Sequence, residues 1–153
     1  MKKTIAAVAL ASSILVPTSV QAMSHSISTD IVRQIDKNMY DGMFNLYWQG
    51  SLSKSTAVRA GYSTGTDMSI IDVTYKKYID RYHQGVFVEG GGSYWDGKND
   101  SSVGILGAVG YERTLASHFV AGGSVQMYMG IDEKVAGAES PFFTPSLFVL
   151  FAF

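Results

Sequence analysis

Cysteine is absent from the 153 residues. That excludes disulfide staples and thiol ligands, so the fold has to be held by burial. A basic excess is missing too. The formal net charge is −1, which argues against nucleic acid as a partner, because phosphate binding needs clustered positive charge. No phosphate-cradling glycine loop opens a helix. Gly90–Gly91–Gly92 and Gly122–Gly123 sit inside strand-like segments, where a nucleotide reading fails. Beyond residue 22 no apolar run escapes interruption by Gly, Ser or a charge. No spanning helix is therefore expected there.

The first residues carry a different signal. Lys2 and Lys3 precede an apolar run from Ile5 to Val16, followed by Pro17–Thr18–Ser19 and Val20–Gln21–Ala22. This is the layout of a Sec-type signal peptide with small or apolar residues at the −3 and −1 positions. An uncleaved anchor is the alternative, but the run is too short for roughly 30 Å of hydrocarbon. Cleavage is expected between Ala22 and Met23, leaving a single domain over 23–153. Removal of the leader takes two lysines and no acid, so the mature net charge is near −3. An exported chain without a spanning helix is periplasmic, released, or a closed barrel.

Period-two alternation decides among these, because it marks strands. In 118–130, Phe119, Ala121, Val125 and Met127 share one face, and His118, Val120, Ser124, Gln126 and Tyr128 the other. In 84–95, Val86, Val88 and Tyr94 oppose Phe87, Glu89, Ser93 and Trp95. Segments 102–112, 69–76, 57–63, 44–52 and 146–153 alternate in the same way. These seven runs approach the roughly ten residues that a tilted strand needs to cross a bilayer. Bacterial single-chain barrels have even strand numbers. The eighth is sought in 27–37, where Ile27, Thr29, Ile31, Arg33 and Ile35 alternate with Ser28, Asp30, Val32, Gln34 and Asp36. That segment reads as a strand, or else as a short amphipathic helix.

The expected fold is all-β: a closed, antiparallel, up-and-down transmembrane barrel of eight strands. A soluble barrel would place apolar residues inward and charges outward. Here charges on the strands are sparse and fall on the more polar face. Aromatics gather near strand ends: Tyr40, Trp48, Tyr62, Tyr75, Tyr78, Tyr82, Tyr94, Trp95, Tyr111 and Tyr128. Such rings suit the two membrane interfaces. Counting back from the C-terminus, the connections 53–55, 79–83 and 114–117 fall at the periplasmic end. The outer end takes 65–66, 96–100 and the long loop 131–143.

The last strand carries the most specific likeness. Phe151–Ala152–Phe153, with alternation back to Leu147 and a polar Ser146, resembles the C-terminal β-signal of outer-membrane proteins. Phe148 stands where that pattern usually has glycine. The segments from Tyr75 to Tyr94 and from Gly107 to Val125 resemble hairpins of the small barrels of the OmpA/OmpX-like group. The resemblance covers nearly all of the mature chain and names no subfamily. It implies a Gram-negative outer membrane as location, its lipid as surroundings, and the barrel-assembly machinery as the reader of Ser146, Phe151 and Phe153.

Eight strands enclose an interior just wide enough for side chains to fill. An open pore is therefore not expected. The inward list is Asn45, Gln49, Arg59, Asp72, Lys76, Glu89, Glu112, His118, Ser124 and Gln126. Buried charges need partners, so Arg59 and Lys76 are expected to balance Asp72, Glu89 and Glu112 in a polar network. A narrow solute path lined by the same groups is the sharper alternative.

No catalytic set emerges. Some barrels of this type are lipid A deacylases or palmitoyltransferases, and a deacylase-type site pairs His and Ser closely. His118 and Ser124 lie well over 10 Å apart at about 3.3 Å per residue. His25–Ser26 falls just past the cleavage point, His83 falls in a turn, and Glu89 lacks a nameable partner as a base. Three dispersed histidines make no metal site. The run Asp96–Gly97–Lys98–Asn99–Asp100 lacks the far acidic residue of a calcium loop. No cofactor is expected. The expected role is non-catalytic, structural or surface-interacting. The alternative is binding or transport of small or apolar solutes at the outer mouth through the loop 131–143, where Pro141–Phe142–Phe143 is apolar. The sequence names no external ligand.

Overall fold

The computed structural model describes residues 24–37 and 42–153. The expected leader, its expected cleavage point at Ala22–Met23, and Tyr40 lie outside the described residues. Eight antiparallel strands close into one barrel in chain order. They are β1 (His25–Asp30), β2 (Phe44–Ser53), β3 (Thr56–Thr64), β4 (Met68–Tyr78), β5 (Gln84–Gly97), β6 (Ser101–Thr114), β7 (Phe119–Met129) and β8 (Phe142–Ala152). Closure runs through Ile27, which pairs with Trp48 of β2 on one side and Phe151 of β8 on the other. Two short helices interrupt the strands, α1 (Ile31–Ile35) and α2 (Glu133–Ala136).

The strand expected through 27–37 stops at Asp30. The Asp30 carboxylate accepts from the backbone N–H of Val32 at 2.9 Å and of Arg33 at 3.4 Å, and so caps α1. Asp30 is itself pinned. Asn45 Oδ1 accepts from its N–H, Asn45 Nδ2 donates to its carbonyl, and Ser146 Oγ donates to its carboxylate. An N-cap side chain satisfies the orphan donors of a first helical turn. The period therefore changes from 2 to 3.6 after Asp30.

The polarity of the barrel is inverted relative to a soluble one. Outward positions are apolar and open, among them Val103 at 71 %, Val109 at 59 % and Leu147 at 57 % exposure. Inward positions mix charge and aromatics: Arg59, Asp72, Lys76, Glu89 and Glu112 are all buried. Two apolar clusters close the ends of the lumen. At the long-loop end Met43, Ile70, Trp95, Leu106 and Tyr128 pack with Ile131, Ala136 and Phe142. At the short-turn end Ala57, Tyr78, Phe87, Val120, Phe148 and Leu150 pack together.

The interface reading of the aromatics holds for only some of them. Tyr62, Tyr75, Tyr94 and Tyr111 point outward, whereas Tyr78, Trp95 and Tyr128 are fully buried in the lumen. Each follows the parity of its strand. Trp95 shares a face with Phe87, Glu89 and Ser93, and Tyr128 with Gln126.

The long loop also departs from expectation. It is folded into the mouth, with Ile131 and Ala136 buried against Trp95 and Tyr128. The Asp132 side chain caps α2 through Lys134 N–H, and Ser102 Oγ accepts from Asp132 N–H. Phe142 and Phe143 already belong to β8, one buried and one 63 % exposed.

Candidate functional site

The lumen holds the concentration of charge, and parity explains most of it. Antiparallel strands alternate faces, so Arg59, Asp72, Lys76, Glu89 and Glu112 all point inward from β3, β4, β5 and β6. Two networks result.

The upper network centres on Arg33, which α1 swings into the barrel. Its guanidinium lies 3.1 Å from Asp72, donates to Ser63 Oγ at 2.9 Å, and reaches Tyr128 Oη and Gln126. Asp72 also accepts from Ser93 Oγ, which in turn accepts from Trp95 Nε1 at 2.8 Å. The apolar plug is thus tied to the charge beneath it.

The lower network runs from Arg59 to His83. Arg59 donates to Glu89 at 3.0 Å and stacks on the Tyr47 ring at 3.9 Å. Tyr47 can lie there because residue 61 is glycine. A Cβ at Gly61 would stand 1.9 Å from the Tyr47 ring. Glu89 also accepts from Thr74 Oγ1 and faces Lys76 at 3.7 Å. Lys76 donates to Glu112 at 2.7 Å and sits 4.1 Å from the centre of the Phe87 ring. The other Glu112 oxygen accepts from Tyr78 Oη at 2.8 Å and lies 2.9 Å from His83 Nδ1. Gln49 Nε2 donates to Tyr78 Oη at 2.9 Å.

Position by position, Asn45, Gln49 and Gln126 of the inward list are buried in the lumen, and Ser124 lies on the inward face, half-buried. His118 is not in the lumen. It precedes β7, is exposed, and stacks on Phe151 at 5.7 Å between ring centres. Alternation ends with the strand, so parity cannot be extended into the turn. Of the three positions expected to form a β-signal, Ser146 points inward to Asp30, while Phe151 and Phe153 are 41 % and 63 % exposed. Phe148 points inward and occupies the space above Gly122, where a Cβ would meet its ring at 2.5 Å.

Sequence reasoning missed two site residues. Arg33 alternates with the isoleucines only in a strand that runs on through Asp30, and the Asp30 cap ends that strand. His83 lies in the β4–β5 turn, where strand parity assigns no face. Its backbone adopts φ +61°, a left-handed conformation uncommon outside glycine, and the ring lies buried beside Glu112. Only the Asp30 cap carried a readable signal, an N-cap residue placed before a mixed apolar run.

Chemically the arrangement neutralises itself. Glu89 is engaged by Arg59, Lys76 and Thr74, and Glu112 by Lys76, Tyr78 and His83. Among the described residues no group of three or more His, Asp or Glu side chains is placed to hold a metal ion. Below the lumen, burial pushes the Tyr82 hydroxyl of the β4–β5 turn above its ordinary pKa, while nearby Gln49, Ser26 and Ser24 pull it down.

Comparison with protein families and with curated proteins finds no match. Among solved structures, the crystal structure of the N-terminal β-barrel domain of Pseudomonas aeruginosa OprF is similar, with a TM-score of 0.64 at 12 % identity. The match covers 86 % of this chain and 96 % of that one. At that identity the likeness is one of fold. The resemblance to the small-barrel group, and the closed eight-stranded antiparallel architecture it implies, hold at that level.

Proposed function

We propose that the chain is an outer-membrane barrel protein of structural or surface-interacting role, exported by its leader, closed to solutes and without catalytic activity. The observation that supports it best is the inverted polarity: a continuous exposed apolar belt around a lumen of mutually paired charges. In water such a belt is a liability, because contiguous apolar patches of this size mark an interface. In hydrocarbon it is the required outer surface of a spanning barrel.

The closed character rests on the two apolar plugs and the networks between them. The mouth that would receive a solute is filled by Trp95, Tyr128, Ile131 and Phe142. In this reading Ser146, Phe151 and Phe153 serve as the signal read by the assembly machinery, and outer-membrane lipid surrounds the belt. The test combines two measurements on one preparation. Cell fractionation should place the protein in the outer membrane with a band that shifts on boiling in detergent. Planar bilayers should show no conductance above background. A periplasmic, non-shifting protein contradicts the location, and steady conductance contradicts the closed lumen. Altered lipid A masses on overexpression would contradict the non-catalytic role.

A further inference from the structure

The short-turn end of the barrel carries an unbalanced positive charge that the lumen does not use. Lys54 lies in the β2–β3 turn, Arg81 in the β4–β5 turn, and Lys77 and Arg113 are the penultimate residues of β4 and β6. All four are exposed, and Asp80 is the one acid beside them. They form a continuous arc. Lys77 Nζ donates to Ser55 Oγ at 2.9 Å, next to Lys54. The Lys54 carbonyl accepts from Tyr82 N–H at 2.7 Å, which knits the two turns together. Arg81 donates to Gln84 at 2.7 Å, and Gln84 is the register partner of Arg113. None of the four forms an ion pair among the described residues; the one exposed pair, Lys98–Asp67, is at the opposite end. That opposite rim is acidic, carrying Asp67, Asp96, Asp100, Asp132 and Glu133.

Two exposed apolar residues share this basic rim. Ile79, between Lys77 and Arg81, is 73 % exposed, and Leu115, two residues after Arg113, is 68 % exposed. Both continue directly into the outward apolar belt. Basic side chains beside apolar anchors suit a membrane–water interface, where long stems lie along hydrocarbon and the charged heads reach the phosphates. A soluble acidic protein would match the charges and leave Ile79 and Leu115 unexplained.

We infer that this arc is a docking surface for anionic phospholipid headgroups, which Lys54, Lys77, Arg81 and Arg113 hold against the periplasmic rim. The inference rests on the membrane reading above and deepens it, because it names the lipid chemistry at one leaflet.

The test uses the purified full chain in phosphatidylcholine vesicles, with spin-labelled phosphatidylglycerol or phosphatidylcholine as probe. The motionally restricted signal gives the relative association of the two lipids. A basic residue near an anionic surface contributes about fivefold. The expected phosphatidylglycerol preference is therefore at least about fivefold, and it should collapse at about 1 M salt, where screening is nearly complete. K54Q/K77Q/R81Q/R113Q should bring the ratio close to one, and the control K98Q/K134Q should leave it unchanged. K77Q and R113Q alone, each expected to lower the ratio, serve if the fourfold variant does not fold. Excess glycerol phosphate should not compete; if it abolishes the preference, the surface binds soluble phosphate and the lipid assignment is wrong. A wild-type ratio near one, with the restricted signal present, overturns this inference alone. No restricted signal for either lipid overturns it together with the membrane reading.

Discussion

Arg33 and Asp72 face each other at 3.1 Å in the upper lumen, one delivered by a helix and the other by β4. Their side chains are 1 % and 4 % exposed. This ion pair joins the β1–β2 connection to the far wall of the barrel. Removing one partner leaves a charge buried without its counter-ion, which costs about 3–5 kcal/mol, whereas an apolar replacement of both is often nearly neutral. Arg33→Met should therefore lower unfolding stability in detergent by about that much, and adding Asp72→Leu should recover most of it. A double variant as unstable as the sum of the two singles would show that the pair is not coupled.

Two glycines give opposite expectations. At Gly61 a Cβ would overlap the Tyr47 ring at 1.9 Å, so Gly61→Ala should push that ring off Arg59 and cost about 1–3 kcal/mol. At Gly90 a Cβ meets nothing within 4 Å. Gly90→Ala should be neutral or stabilising by up to about 1 kcal/mol, since glycine weakens a strand interior. Urea unfolding of both variants checks the contrast, and equal losses would contradict it.

Trp95 anchors the folded loop. It packs edge-on to Tyr128 and Phe142 at 5.2 and 5.8 Å between ring centres and donates to Ser93. Trp95→Ala should cost about 3–5 kcal/mol and loosen α2 while the strands remain paired. Limited proteolysis should then cut within 131–140 in the variant, with the unboiled band still at its folded position. A loop equally resistant in both proteins would mean that it is held without the plug.

The raised pKa of Tyr82 has a definite sign. Burial favours its neutral form in the folded state, so the stability it contributes is complete below the unfolded value of about 10. That contribution is lost as pH climbs towards the folded value. Tyr82→Phe has no hydroxyl to ionise. Between about pH 9 and 11 the wild type should lose more stability than the variant, read as the shift in unfolding midpoint. Parallel curves would remove Tyr82 from the alkaline transition.

Alternation made seven strands and most of the inward charges legible, because side chains on a strand obey a period of two whatever surrounds the sheet. Where the backbone leaves that period, parity no longer assigns a face. Arg33 lies past the Asp30 cap, His118 lies in a turn before β7, and His83 turns inward through a positive φ. Trp95, Tyr78 and Tyr128 are a different case. Their parity was correct in the sequence, but their place near strand ends suggested an interface. A small barrel needs large rings inside to close its two ends. The folding of 131–143 onto the mouth had no local signal, because it depends on Ile131 and Ala136 meeting residues from β5 and β7.

Which face of the sheet meets lipid is reported directly by the two tryptophans. Trp48 alternates with buried Tyr47 and Gln49 on the outer side of β2, whereas Trp95 is fully buried in the lumen. In vesicles of brominated phospholipid, Trp95→Phe, which keeps only Trp48, should lose most of its fluorescence, and Trp48→Phe, which keeps only Trp95, should retain it. Strong quenching of Trp95 with Trp48 unaffected, or no quenching of either in a folded protein, would contradict the inverted barrel.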